Sequence, residues 1–382
     1  MVSRVTLWLT FFIFDLSETK IMMKNIYFTA GPAELHPKFE DFFRQALDEQ
    51  IGSISHRSGQ FRKIYQHCAE NLRVLMNIPE SSGIFFTGSA SEVWERILLN
   101  LVEHESFHLV NGSFSEKFYK YALSVQKYAH KQEKPIGEGF SYGEIEVPEY
   151  AELICVTQNE TSTGVQMREA DIHKLKRSNQ KRLLAVDMVS SAPIPEIDLE
   201  LVDTAFFSVQ KAFGLPAGLG VWIANEKCLE KAKRLSKYEG LNIGAHNNLP
   251  TLWKNYETYE TPATPNVLGI YLLGKVAEDM NKTGIENIRK ETDEKAKKIY
   301  KYLETSDLCS IAIKNVEHRS KTVIVANTKK SSKGIIEKLK EKNMIVGSGY
   351  GPNKDTQIRI SNFPSNTMEQ IDMLLKELKK ME

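Results

Sequence analysis

The sequence predicts an α/β fold, a mainly parallel sheet covered by helices, with a smaller α+β unit behind it. Three observations lead there. Six short apolar runs alternate with amphipathic stretches between residues 82 and 224, the rhythm of strands joined by crossover helices. A long amphipathic segment at 266–303 then separates this part from the remainder, and the tail beyond it mixes strand-like with helix-like patterns. Finally, 382 residues at 41% hydrophobic and 26% charged suffice for one large and one smaller domain.

The N-terminus is the compositional oddity. Residues 5–14 form an apolar run behind Arg4, with the length of a signal-peptide core and too short to span a bilayer. No small-residue cleavage pattern follows, and Met22 and Met23 stand directly before 24–32, where a globular domain is expected to begin. Translation starting there would make residues 1–23 a start-site artefact or a disordered extension; an export signal is the alternative. The large domain is expected over 24–280 and the small one over 281–382.

Strands are expected at 83–87, 106–110, 153–157, 183–187, 204–208 and 221–224, each an apolar run of buried-strand type. Helical patterns cover 93–102 and 114–128. In the tail, strands are expected at 321–326 and 357–361, with helices starting from Ser331 and from Thr367. The lysine-rich stretches 290–301 and 329–342 alternate with glutamate and read as solvated helix faces.

Charge and cysteine content exclude several classes of function. A net charge of +1 gives no electrostatic argument for nucleic acid or an anionic membrane surface. Cys68, Cys155, Cys228 and Cys309 are far apart and form no CxxC pair, which argues against a zinc site or a disulfide scaffold and fits a reducing cytoplasm. No metal is expected.

In open parallel sheets ligands bind beyond the carboxyl ends of the strands, so each strand end is a place to look for chemistry. After 83–87 come Gly88, Ser89, Ala90 and Ser91, then a helical run; small residues there offer backbone N–H groups and hydroxyls to a phosphate, or simply cap the helix. Asn159, Glu160 and Thr161 follow another strand. Asp187 ends a further one, where a carboxylate costs desolvation unless it meets a cation such as a protonated pyridine nitrogen; a helix-capping aspartate is the other reading. Lys211 follows the run 204–208 and precedes a loop with Gly214, Pro216, Gly218 and Gly220. Burial would depress its amine and make it a nucleophile for a carbonyl, although taken alone it reads equally as a solvated loop lysine. A phosphate cradle, an aspartate and a lysine, in that order and each after an expected strand, make the set required by pyridoxal phosphate.

On these residues the chain resembles the class V aminotransferases among the fold-type I pyridoxal phosphate enzymes, and within them the phosphoserine aminotransferase family. The resemblance covers about 24–380 and is carried by Ala30, Gly31, Pro32 and Ala33, by Ser55, His56, Arg57 and Ser58, by the Gly88 to Ser91 turn, by Asn159, Glu160 and Thr161, by Asp187, Gln210 and Lys211, by Thr261 and Pro262, and by Ile358, Arg359, Ile360 and Ser361. It implies a sheet of the seven-stranded type with helices on both faces, pyridoxal 5′-phosphate as cofactor, and a homodimer with shared active sites. Lys211 and Asp187 would be catalytic, the first as the Schiff-base lysine and proton shuttle, the second as partner of the pyridine nitrogen. Ser89, Ala90, Ser91 and Gln210 would bind cofactor phosphate, joined by Thr261 across the dimer interface; Thr161 would meet the ring hydroxyl region and Phe114 would stack on the ring, where a tryptophan is usual. Arg359 would take the substrate α-carboxylate, and His56 and Arg57 would reach the distal group of the neighbour's substrate.

The implied reaction moves an amino group between glutamate and 3-phosphohydroxypyruvate in serine biosynthesis. Two departures bear on the substrate. Residues 349–354 lack the His-Arg pair that the family usually places before the carboxylate-binding arginine, leaving Lys354 as a single charge, and Glu260 replaces a usual asparagine beside Thr261. An alanine-glyoxylate or serine-pyruvate transaminase is therefore the alternative. A cysteine desulfurase would carry histidine where Gln210 stands, and a silent cofactor-fold protein would be expected to lose Lys211, Asp187 or Arg359.

Overall fold

The computed structural model describes residues 24–238 and 241–382, so the expectation about residues 1–23 falls outside the described residues. The chain enters through β1 (Ile26–Phe28), α1 (Phe39–Asp48) and α2 (Gly59–Met76). The alternating region follows as β2 (Ser82–Thr87), α3 (Ala90–Leu101), β3 (Glu105–Val110), α4 (Ser113–Ser124), β4 (Tyr128–Glu133) and β5 (Leu153–Thr157). A short ribbon, β6 (Asn159–Glu160) with β7 (Val165–Gln166), precedes α5 (Glu169–Ser178), β8 (Leu183–Asp187), β9 (Thr204–Ser208) and β10 (Gly220–Asn225). Helices α6 (Glu226–Leu235), α7 (Leu249–Tyr256), α8 (Val267–Thr283) and α9 (Ile285–Thr305) come next. The tail holds β11 (Cys309–Ile311), β12 (Val323–Thr328), α10 (Ser332–Lys340), β13 (Met344–Ser348), β14 (Gln357–Ser361) and α11 (Met368–Lys379).

The seven-stranded sheet runs β2-β10-β9-β8-β5-β3-β4. Every neighbouring pair is parallel except those of β10, which is antiparallel to both β2 and β9. Two antiparallel steps restore direction, so β2, β9, β8 and β5 all end on one edge. Register fixes the neighbours there: Thr87 and Ser208 both face Gly220, and Asp187 sits between Thr157 and Phe206. The alternation of strand side chains splits the core between two faces. Ile84, Phe86, Ala205 and Phe207 pack with α2 and α8 residues on one, while Phe85, Phe206 and Trp222 pack with α3 and α4 on the other.

Three expectations change, the simplest being Lys295, which lies in a stretch read as a solvated helix face yet is fully buried and donates to Phe363 O at 3.2 Å. The helix expected to reach residue 128 ends at Ser124, and β4 follows; its sequence, Tyr-Ala-His-Lys-Gln-Glu, is too polar to read as a strand because it is an edge strand exposed along most of its length. The long amphipathic segment is two helices rather than one, broken at Gly284, whose φ of +84° suits glycine and ends α8 while opening α9. A second, five-stranded sheet, β1-β13-β14-β12-β11, packs α9, α10 and α11 over a core of its own and takes its first strand from the N-terminal arm. Ser331 and Thr367 cap α10 and α11 as hydroxyl acceptors. Among the described residues no helix is long and apolar enough to cross a membrane.

Candidate active site

The shared strand edge brings Lys211, Asp187 and the Gly88 turn to one place. Lys211 follows β9 and is 9% exposed, its ammonium donating to the carbonyl of Ala30. The N-terminal arm passes so close that a Cβ on Gly31 would lie 2.3 Å from Lys211 Nζ, and Gly31 also holds a φ of +133°. Only glycine satisfies both demands, which gives the Ala30 to Ala33 signature its physical reason. Burial, aided by the nearby Arg359 charge and opposed by Asp187, brings the Lys211 amine down to about 8. An amine so poised is partly neutral near physiological pH and is competent to attack a carbonyl.

Asp187 is buried at the end of β8 with two donors, the Trp94 indole at 3.0 Å on Oδ2 and the Val189 N–H at 2.9 Å on Oδ1. Among the described residues it makes no ion pair. Burial, reinforced by the Glu160 charge, outweighs those donors and pushes the carboxyl up to about 7. A carboxylate in this position is short of a cation, and a protonated pyridine nitrogen would supply one.

Ser89 caps α3 by accepting Glu92 N–H at 3.2 Å, and Gly88, Ser89 and Ser91 stay exposed at the helix N-terminus, where backbone N–H groups favour an anion. Ala90 N–H is already taken by Ser208 Oγ at 3.1 Å. Beside this turn lies a cavity of about 260 Å³, lined among others by Gly88, Glu92, Asn247 and Thr261. Thr261 is 5% exposed, and its buried hydroxyl has no partner. Orphaned hydroxyl, open helix end, uncompensated aspartate and depressed lysine together fit the phosphate, ring nitrogen and aldehyde of pyridoxal phosphate.

Arg359 projects from β14 and links the second sheet to this edge. Its Nε donates to Ser348 O at 2.8 Å and its Nη1 to Thr161 O at 3.4 Å, while Tyr350 lies with its ring centroid 5.3 Å from the guanidinium. Among the described residues no carboxylate pairs with it. Thr161 is buried beside it through that carbonyl contact. Phe114, half-buried at the start of α4, reaches the same group through Tyr350, with ring centroids 5.5 Å apart at 45°. Gln210 is half-buried, and its carbonyl accepts Ala33 N–H at 3.0 Å.

A second set stands apart from these. Arg57 donates to the carbonyls of Thr261 at 3.0 Å and Pro262 at 3.3 Å, and pairs with Glu260 at 3.3 Å. Arg62 also holds Glu260, so the carboxylate beside Thr261 is neutralised twice over. His56 is half-buried next to Arg57. None of these side chains bonds Lys211, Asp187 or Arg359. Lys354 is exposed, and its carbonyl accepts Ser332 Oγ at 3.0 Å from α10.

Three contributors escape a sequence reading, Trp94, Ser208 and Tyr350, while Glu160, read only as a polar group at the strand end, has a structural task. Glu160 is fully buried and anchors α4, its Oε2 accepting Phe114 N–H at 3.1 Å, Ser115 N–H at 2.8 Å and Ser115 Oγ at 2.9 Å, and its Oε1 accepting Ser162 N–H at 3.0 Å and Ser162 Oγ at 2.6 Å. The carboxylate at a helix N-terminus is favourable. A larger cavity, about 740 Å³ between α5 and α9, contains neither Lys211, Asp187 nor Arg359 and mixes acidic with basic side chains.

Comparison with known proteins agrees with the geometry. The family model for aminotransferase class-V matches residues 123–374. A solved phosphoserine aminotransferase from Cytophaga hutchinsonii is 46% identical, with 93% of this chain and 98% of that one covered and a TM-score of 0.91. The curated phosphoserine aminotransferase of Rhodococcus opacus is 25% identical over 358 residues, 92% of this chain and 93% of that protein. An alanine-glyoxylate aminotransferase from Nostoc shares the fold at 21% identity and a TM-score of 0.81, covering 95% of this chain and 96% of its own. With well over half its length matched by the family model, the chain belongs to the aminotransferase class-V family and is a pyridoxal phosphate-dependent transaminase.

Proposed function

We propose that the protein is a homodimeric, cytoplasmic transaminase that exchanges an amino group between glutamate/2-oxoglutarate and 3-phosphohydroxypyruvate/O-phosphoserine, on the route to serine. The observation that carries the chemistry is Arg359, an acid-free guanidinium close enough to the Lys211 amine to depress it. Its fork suits an α-carboxylate and would hold substrate Cα near Lys211. The substrate reading is supported by the 46% identity to the Cytophaga hutchinsonii phosphoserine aminotransferase.

Bound at this edge, pyridoxal phosphate supplies an electron sink for negative charge at the substrate Cα. Lys211 is assigned the attachment to the cofactor and, once the substrate amine has displaced it, the proton relay: its freed Nζ, favoured in the neutral form by burial and Arg359, would take the proton from Cα and later return one. Asp187 would keep the ring nitrogen protonated, held in place by the Trp94 indole that donates to it. Ser89, Ala90, Ser91, Gln210 and Thr261 are assigned to the phosphate, Thr161 to the ring hydroxyl and Phe114 to the ring face. His56 and Arg57 are assigned to the distal group of the partner's substrate. With Glu260 held by Arg57 and Arg62, its charge is no bar to a phosphate near Thr261.

Steady-state assays test the reading. Glutamate with 3-phosphohydroxypyruvate is expected to be the productive pair, against alanine or serine with glyoxylate. Turnover confined to glyoxylate would overturn the substrate assignment and leave the transaminase standing.

A further inference from the structure

Residues 349–354 carry no arginine or histidine and only one cation, the exposed Lys354, so a second positive charge near Arg359 is worth seeking on other elements. The structure contains one. Lys117, exposed on the first turns of α4, donates to Tyr350 OH at 2.9 Å, and its ammonium lies 5.1 Å from the centroid of Phe114 and 5.5 Å from that of Tyr350. The Phe114 face holds it by cation–π attraction, while at Tyr350 it lies off the hydroxyl end, where the hydroxyl oxygen accepts its N–H. Among the described residues it has no acidic partner within ion-pair distance. The adjacent Glu116 is occupied by Lys120 at 3.1 Å and Lys131 at 3.6 Å, and Glu160 is saturated by five donors on its own helix end and ribbon.

Tyr350 is the hinge of this arrangement, because the same ring lies 5.3 Å from the Arg359 guanidinium. One tyrosine thus sits between two cations, neither of which has a carboxylate. A ligand with two acidic groups would meet both charges. Tyr350 also joins the turn between β13 and β14 to α4, so it fixes the spacing of the two charges across the two sheets.

We propose that Lys117 binds the second acidic group of the substrate, with Arg359 on the α-carboxylate and Tyr350 as the positioning residue that holds Lys117. This rests on the reading that the substrate is an acidic 2-oxo acid. Under it, the charge missing from the turn between β13 and β14 is supplied by α4.

The test compares 3-phosphohydroxypyruvate with hydroxypyruvate, which differs only in lacking the phosphate. Replacing a charge-assisted contact predicts that Lys117→Met lowers the ratio of kcat/KM for the two acceptors by about tenfold to a hundredfold, carried by KM for the phosphorylated one. Lys117→Arg should keep most of the ratio. Tyr350→Phe, which keeps the ring and removes the hydroxyl, should lower it by roughly threefold to fivefold through the same KM. If the wild type prefers the phosphorylated acceptor and Lys117→Met keeps that preference, or loses both activities equally, the inference is overturned and the proposed substrate stands. If the wild type shows no preference, both are overturned.

Discussion

Two lysine–aspartate pairs are buried in the large sheet, at opposite edges, and they are built in opposite ways. At the amino-terminal edge Lys176 of α5 meets Asp203, just before β9, at 2.6 Å; Lys176 also donates to Arg182 O at 2.6 Å, and Asp203 accepts Leu184 N–H at 2.8 Å and Asn225 Nδ2 at 3.2 Å. Every charge has its opposite. At the carboxyl-terminal edge Lys211 and Asp187 are as deeply buried, yet each bonds only neutral partners and no ion pair joins them. The difference teaches that burial of ionisable groups does not by itself mark chemistry. A satisfied pair locks strands together, whereas an unsatisfied one is held near neutrality and waits for a ligand.

Exchanging the roles should break the comparison most visibly. Lys211→Ala is expected to lower kcat/KM by at least about ten-thousandfold with no loss of thermal stability. Lys176→Met should do the reverse: leaving Asp203 buried and unpaired costs about 3–5 kcal/mol in urea denaturation, with kcat per folded molecule little changed. Equal effects on both readouts would mean that the two edges do the same job.

A second prediction concerns stability without cofactor. The carboxyl of Asp187 is raised from its ordinary value of 3.8 to about 7, so between those pH values the folded chain holds a proton that the unfolded chain has released. Stability from this group is therefore full below about pH 4 and is lost as pH rises to about 7. Asp187→Asn should remove that slope and stabilise the cofactor-free protein at pH 8 by up to about 4 kcal/mol, while weakening cofactor binding. Denaturation at pH 5 and pH 8 measures it. Asp203→Asn should destabilise at both.

The smallest expected effect is that of Trp94→Phe, which removes one donor from Asp187. Cofactor affinity should fall about fivefold to tenfold, measured by equilibrium titration, because the carboxyl rises further. An unchanged affinity would show that the indole only packs on Phe118, with which it stacks at 5.6 Å.

What the sequence makes legible follows from the same contrast. Lys211, Asp187 and the Gly88 turn can be read because each directly follows an apolar run, and strand ends in a parallel sheet share an edge. Strands β5, β8, β9 and β14 have the bounds their runs suggest. The supporting groups stay hidden because nothing local announces them. Trp94 meets Asp187 across 93 positions, Ala90 meets Ser208 across 118, and Lys117 meets Tyr350 across 233. Each looks like an ordinary helix or turn residue until the sheets assemble. Strand β4 is missed for another reason: at an edge, polarity replaces the apolar signal.

The central claim is that Lys211, alone among the lysines of the described residues, is built to bond the cofactor aldehyde. Incubation with pyridoxal phosphate, reduction with borohydride to fix the bond as a stable amine, and peptide mass spectrometry test it most directly. The label is predicted on Lys211, at one group per chain, with Lys176 and Lys295 unlabelled although they too are buried. A label concentrated on any other lysine, or none above the level of Lys211→Ala, would contradict the account.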